Sequence, residues 1–165
     1  MTTSAQASAS EGSSGDGRDY SERQWWMGIL ARATREDLKT VSAHLPARDA
    51  YQIIKRPEIG TIMVEARAGG AGRRFNFGEA TMTRCVVQLK SGELGFAYAL
   101  GRDKTKAEQA ALIDALLQTD KADRKASILS QLKQIEAKHN AEKILRSRKA
   151  GATKVNFFTL VRGEG

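Results

Sequence analysis

The sequence is poor in the residues that staple, ligate or punctuate a fold. Of 165 residues, one is cysteine (Cys85), two are histidine (His44 and His139) and two are proline. A single thiol excludes an internal disulfide framework and any multi-cysteine zinc or iron–sulfur site within this chain. With both imidazoles added, a tetrahedral structural zinc site would still need carboxylates, so no metal site is expected. Scarce proline argues against a proline-rich linker protein. No run approaches the ~18–20 apolar residues of a membrane span. The N-terminal residues lack the basic and apolar regions of a secretory signal. A reducing, cytoplasmic setting is the expectation that follows.

Negative charge is also in short supply, with 19 Asp+Glu against 27 Lys+Arg and a net charge of +8. The excess is unevenly placed. Residues 120–154 carry ten bases against four acids, and residues 48–90 carry eight against four. Such a chain suits an anionic partner, whether nucleic acid, a phosphate-bearing small molecule or an acidic protein surface, or simply keeps a well-solvated surface. Residues 1–19 are instead Ser, Ala, Gly and Thr with three acids and one base. They have too little apolar surface to offset their ordering entropy, so a disordered tail is expected there. The remainder, 20–165, reads as one α+β domain.

Ser21 is placed to cap a helix that carries Trp25, Trp26, Ile29 and Leu30 at helical spacing. A second short helix is expected from about Arg35 to His44, with Leu38 and Val41 on one side and Pro46 ending it. The middle reads as an antiparallel sheet of four to five strands. Tyr51–Lys55 and Thr61–Arg67 flank a Pro57–Gly60 turn. Arg73–Phe77 resumes the sheet after a glycine-rich break, and Ala80–Leu89 with Glu93–Leu100 forms a hairpin around Ser91-Gly92.

Lys104–Gln118 is apolar almost all round, which predicts a buried helix across the sheet. Ala122–Lys149 predicts a long basic helix with a narrow stripe of Ile128, Leu132, Ile135 and His139, closed by Gly151. A last strand is expected at Val155–Val161.

Chemistry-bearing groups are few. Gly69, Gly70 and Gly72, flanked by Arg67 and Arg73, could aim amides and guanidinium groups at an oxyanion, or could form an ordinary turn. The pattern fits neither the dinucleotide fingerprint nor the phosphate loop ending in Gly-Lys-Ser/Thr. Asp103 can cap the helix that follows it, with Arg102 and Lys104 beside the positive end of the helix dipole. Asp114, in an apolar run, must be partnered by a base or exposed at an interface. No nucleophile motif, zinc spacing or carboxylate dyad is present. His44, His139 and Cys85 read as structural, Cys85 as a buried small hydrophobe.

Six stretches, in this order, resemble one family. They are Arg23-Gln-Trp-Trp-Met27, Ala66-Arg-Ala-Gly-Gly-Ala-Gly72, Gly78-Glu-Ala-Thr-Met-Thr-Arg84, Gly101-Arg-Asp-Lys104, Ala111-Leu-Ile-Asp-Ala-Leu116 and Val155-Asn-Phe-Phe-Thr-Leu-Val-Arg-Gly163. The chain resembles the PhnG family, the small G subunits of the bacterial carbon–phosphorus lyase core complex.

The resemblance implies a cytoplasmic subunit that acts with subunits H, I and L when a phosphonate displaces adenine from ATP, and that assembles with subunits H, I and J. ATP and phosphonate are then substrates of the complex, the transfer chemistry belongs mainly to subunit I, and no catalytic residue is expected here. An iron–sulfur cluster and S-adenosylmethionine belong to a further subunit, so no cofactor is expected in this chain. Arg67, Gly69, Gly70, Gly72, Arg73, Arg84, Arg102 and Lys104 become candidates for holding anionic substrate, and Phe157, Phe158, Val161 and Arg162 for docking a partner. Neither nucleic acid nor membrane is an expected partner; a basic nucleic-acid-binding module is the alternative.

Overall fold

A computed structural model describes residues 16–68, 72–119 and 122–152. Helix α1 (Asp16–Arg32) and the short helix α2 (Arg35–Val41) precede two single 3-10 turns. Strands β1 (Tyr51–Arg67), β2 (Arg74–Leu89) and β3 (Leu94–Leu100) follow, and then helices α3 (Lys104–Leu117) and α4 (Ala122–Ala152). The strands make one antiparallel sheet in the order β1-β2-β3. No helix among the described residues is long and apolar enough to cross a membrane.

Among the described residues the sheet has three strands rather than four to five. The expected turn at Pro57–Gly60 does not form, and β1 runs through it without a break. Proline lacks an amide hydrogen, which matters little at the outer edge of a sheet, and among the described residues β1 has β2 as its only neighbour. Register shifts between Ile53 and Lys55 and between Lys55 and Glu58 absorb the irregularity. Arg73–Phe77 and Ala80–Leu89, read as separate strands, are joined in the same way: Gly78 pairs with Val64, a register shift between Val64 and Glu65 skips Phe77 beside it, and β2 is continuous from Arg74.

Two helix ends also move. The helix starts at Asp16, so Ser21 lies inside α1 and does not cap it; Gly151 lies inside α4 and does not close it. The expected strand Val155–Val161, with Phe157, Phe158, Val161 and Arg162, lies outside the described residues.

The hairpin around Gly92 forms as its sequence predicts, with Gly92 at φ 111°. Helix α3 lies across one sheet face, buried at every position from Ala110 to Leu117. The residues opposite are Gly95, Ala97 and Ala99 on β3 with Cys85 and Val87 on β2. A Cβ built on Gly95 would overlap the Ala111 carbonyl and lie 2.7 Å from Ala115 N, so the helix approaches β3 as closely as glycine allows.

Around α3 pack Trp26, Ile29 and Leu30 of α1, Leu38 and Val41 of α2, and Ile128, Leu132 and Ile135 of α4. The narrow stripe on α4 is therefore the part that packs. Beyond it every residue from Asn140 to Ala152 is exposed.

Candidate functional site

Among the described residues the most heavily bonded charge is Asp114, buried on the face of α3. Arg23 grips it with two bonds, Nε to Oδ1 at 3.2 Å and Nη2 to Oδ2 at 2.8 Å. Trp26 Nε1 donates to Oδ1 at 2.9 Å, and the Phe96 amide and the Gln118 side chain donate to Oδ2 at 2.9 and 3.3 Å. The alternatives for Asp114 resolve to a base partner. A carboxylate with this many donors is a lock between α1, β3 and α3, and it has no lone pair directed at a ligand.

Asp37 is a second lock. Thr34 caps α2 by accepting from the Asp37 amide, while Asp37 Oδ2 accepts from the Thr34 amide at 2.9 Å. Lys138 Nζ donates to Oδ1 at 2.7 Å, and His139 Nε2 lies 3.0 Å from Oδ2. Burial pushes this carboxyl up, but the bonds from Lys138, Thr34 and His139 outweigh burial and hold it well below the usual carboxylate range. His139 is thus committed to the fold, as is His44, whose Nε2 lies 3.1 Å from Ser127 Oγ.

Asp103 caps α3 by accepting from the Lys106 amide at 3.0 Å. It is also held by Arg35 through paired bonds of 2.9 and 2.8 Å. Those bonds from Arg35, reinforced by the Lys106 amide, bring its carboxyl down to about 2. Lys106 turns its ammonium inward to the Leu100 carbonyl at 2.6 Å, and burial lowers its pKa. Cys85 is buried, and that burial raises its thiol to about 11, far from a nucleophilic thiolate at neutral pH. Among the described residues no three of His, Cys, Asp and Glu gather as a metal site.

The structure does not bring the candidate anion-binding residues together. Arg67 pairs with Arg74 at the far end of the β1–β2 ribbon, where Gly72 N closes the turn onto the Ala68 carbonyl at 2.9 Å. Gly69 and Gly70 lie outside the described residues. Arg73 is exposed at the same end. Arg84, about ten residues along β2 and so roughly 33 Å away, is tied to Glu58 at 2.9 Å, and Lys55 reaches the same carboxylate at 3.3 Å. Arg102 and Lys104 stand exposed at the start of α3. Lys104 lines a shallow depression with Lys55, Arg56 and Pro57. Two separate basic groups result, one at the ribbon's tip and one near its base, and no small ligand spans both.

Sequence reasoning missed the pairs that hold these regions together. Arg35 with Asp103 and Arg23 with Asp114 lie 68 and 91 residues apart, and no local pattern signals them. The Thr34–Asp37 box did leave a signal, a threonine three positions before a carboxylate.

Comparison with known proteins bears on what this scaffold serves. A family model described as "Phosphonate metabolism protein PhnG" matches residues 21–163. The alpha-D-ribose 1-methylphosphonate 5-triphosphate synthase subunit PhnG of Rhizobium meliloti (strain 1021) is 38% identical over 149 residues, covering 90% of this chain and 94% of that one.

Proposed function

The chain belongs to the PhnG family of phosphonate-metabolism proteins, and from that premise we propose that it is a structural subunit of an alpha-D-ribose 1-methylphosphonate 5-triphosphate synthase. The observation that carries its structural character is the commitment of its chemical groups. Asp37, Asp103, Asp114 and His139 are each held by partners within the fold. The buried Cys85 thiol is kept protonated. What remains is a rigid basic scaffold, suited to positioning other subunits.

In this role the chain assembles with subunits H, I and J, and with L for the transfer step, in the cytoplasm. The complex uses ATP and a phosphonate and releases adenine, with the principal chemistry on another subunit. Cluster and S-adenosylmethionine chemistry likewise belongs elsewhere, because one thiol supplies one cluster ligand at most. Arg102 and Lys104, near the ribbon's base, are the bases best placed to support anionic substrate. Their side chains are exposed and enter no hydrogen bond or ion pair among the described residues.

The test is to co-express the chain with subunits H, I and J, purify through a tag on this chain, and add L, ATP and methylphosphonate. Adenine release should require this chain, and the chain alone should release none. Release at full rate without it would sink the assignment.

A further inference from the structure

Two elements leave the same end of the core with nothing in the described chain to cover them. The N-terminus of α3 marks that end. Gly101 N bonds Thr81 O there at 2.9 Å, and Asp103 is held by Arg35 at the start of α2. The β1–β2 ribbon runs on past Thr81 to Arg67 and Arg74. Helix α4 starts at the opposite end, where Arg124 lies beside Leu89 and Leu116, and returns antiparallel to α3. It passes Asp37 at Lys138 and His139, and then runs on beyond Thr34 and Arg32. Its last thirteen residues, all exposed, extend about 20 Å at ~1.5 Å per residue.

Both projections carry apolar side chains in water. On the ribbon Met63 is 55% and Phe77 73% exposed, with Ile59, Ile62 and Phe75 also open; on α4, Ile144 and Leu145 are more than half exposed. A two-stranded ribbon and a solitary helical extension of this length are each marginal in water without a surface to pack on. Both also carry a net positive charge: residues 61–81 of the ribbon have three bases against two acids, and residues 140–152 four against one.

We propose that the β1–β2 ribbon and the free half of α4 are two arms of a single docking surface. Their occupant is another subunit of the synthase that presents an apolar ridge edged by carboxylates. The proposal rests on the subunit assignment above. Charge complementarity selects an acidic rim, and the apolar residues on both arms select a protein, since phosphate contacts would make no use of Met63 or Leu145.

The test is recovery of subunits H, I and J by the tagged chain. Met63→Glu and Leu145→Glu replace exposed side chains, so each should keep the parent's circular dichroism and thermal midpoint. Each should lower recovery at least about tenfold, as expected of an apolar anchor turned into a buried charge. Lys90→Glu, at the opposite end of the core, should leave recovery unchanged. Amides of residues 59–66 and 140–150 in the parent should exchange more slowly once the complex forms.

Full recovery by both folded variants, or unchanged exchange on assembly, overturns the proposal. So does a dimer of the chain alone that either variant abolishes, or salt-sensitive binding of a DNA duplex that protects both arms. If the unmodified chain recovers no subunit, it is the assignment beneath the proposal that fails.

Discussion

Arg23 and Asp114 are 91 residues apart in sequence and form a bidentate ion pair, at 3.2 and 2.8 Å, that joins the first helix to the helix lying across the sheet. The carboxylate is buried, while the Arg23 side chain keeps 31% of its exposure. The pair therefore holds its negative end in the core and its positive end at the rim. Trp26 and the Phe96 amide share the same carboxylate, so three elements depend on one side chain.

Asp114→Ala should cost about 3–5 kcal/mol, because it strands the Arg23 charge and leaves the Trp26 and Phe96 N–H groups without acceptors. Arg23→Met, which keeps the aliphatic stem, should cost less, about 1–3 kcal/mol. Urea unfolding of the isolated chain measures both. Equal small losses in the two variants would show that the lock contributes little.

Gly95→Ala should destabilise by at least about 3 kcal/mol, at the severe end of overpacking. The new Cβ would lie 2.7 Å from Ala115 N and 2.8 Å from Ala115 Cβ, and would overlap the Ala111 carbonyl. Backbone cannot rotate out of the way as a side chain can. Gly78→Ala, with open space at its Cβ, should change stability by about 0.5 kcal/mol or less. Similar urea midpoints for the two variants would refute the close approach of α3.

Acid should weaken the fold below about pH 4 through Asp37 and Asp103. Both carboxyls lie below their unfolded values in the native state, Asp103 at about 2. A depressed carboxylate contributes stability that is present above its unfolded pKa near 4 and is lost as pH falls through its native pKa. Stability should therefore hold steady from pH 7 to 5 on this account and decline from about pH 4 to 2. Asp37→Asn should lower stability at pH 7 and flatten that acid limb. An acid limb as steep as the parent's would remove Asp37 as a cause.

Arg102→Ala and Lys104→Ala should lower adenine release by the assembled complex by roughly tenfold each, the loss expected when a charge-assisted contact to an anion is removed. Thermal midpoints should stay within ~1–2 °C of the parent, as befits exposed positions. Arg67→Ala, at the far end of the ribbon, separates the two basic groups. A loss of rate there with assembly intact would place substrate at the tip. Unchanged turnover per intact complex in all three would leave these bases a purely surface role.

Much of this architecture was legible from local pattern. Period and burial agree for α3, whose all-round apolar sequence needs a buried site, and for α4, whose stripe of Ile128, Leu132 and Ile135 is its packed side. The Gly92 hairpin and the Asp103 cap depend on single residues with strong backbone preferences, so they too could be read directly. The family resemblance rested on short stretches, and three of them prove to be structural: Arg23 and Trp26 from one meet Asp114 from another, and Asp103 from a third meets Arg35.

Continuity and pairing were not legible in the same way. Pro57 and Gly60 signal a turn locally, yet β2 supplies a long template alongside, and the edge position of β1 leaves the missing proline amide unneeded. Tertiary hydrogen bonding overrode local preference there. By itself the sequence determined the class of fold, the buried face of each helix and the scarcity of reactive groups, because these follow from residue type and period. The tertiary structure alone decided that distant charges lock in pairs and that the glycine–arginine turn stands far from the start of α3. It also decided that the ribbon and α4 leave the core at one end. Distances between segments far apart in the chain depend on packing, and no local spacing encodes them.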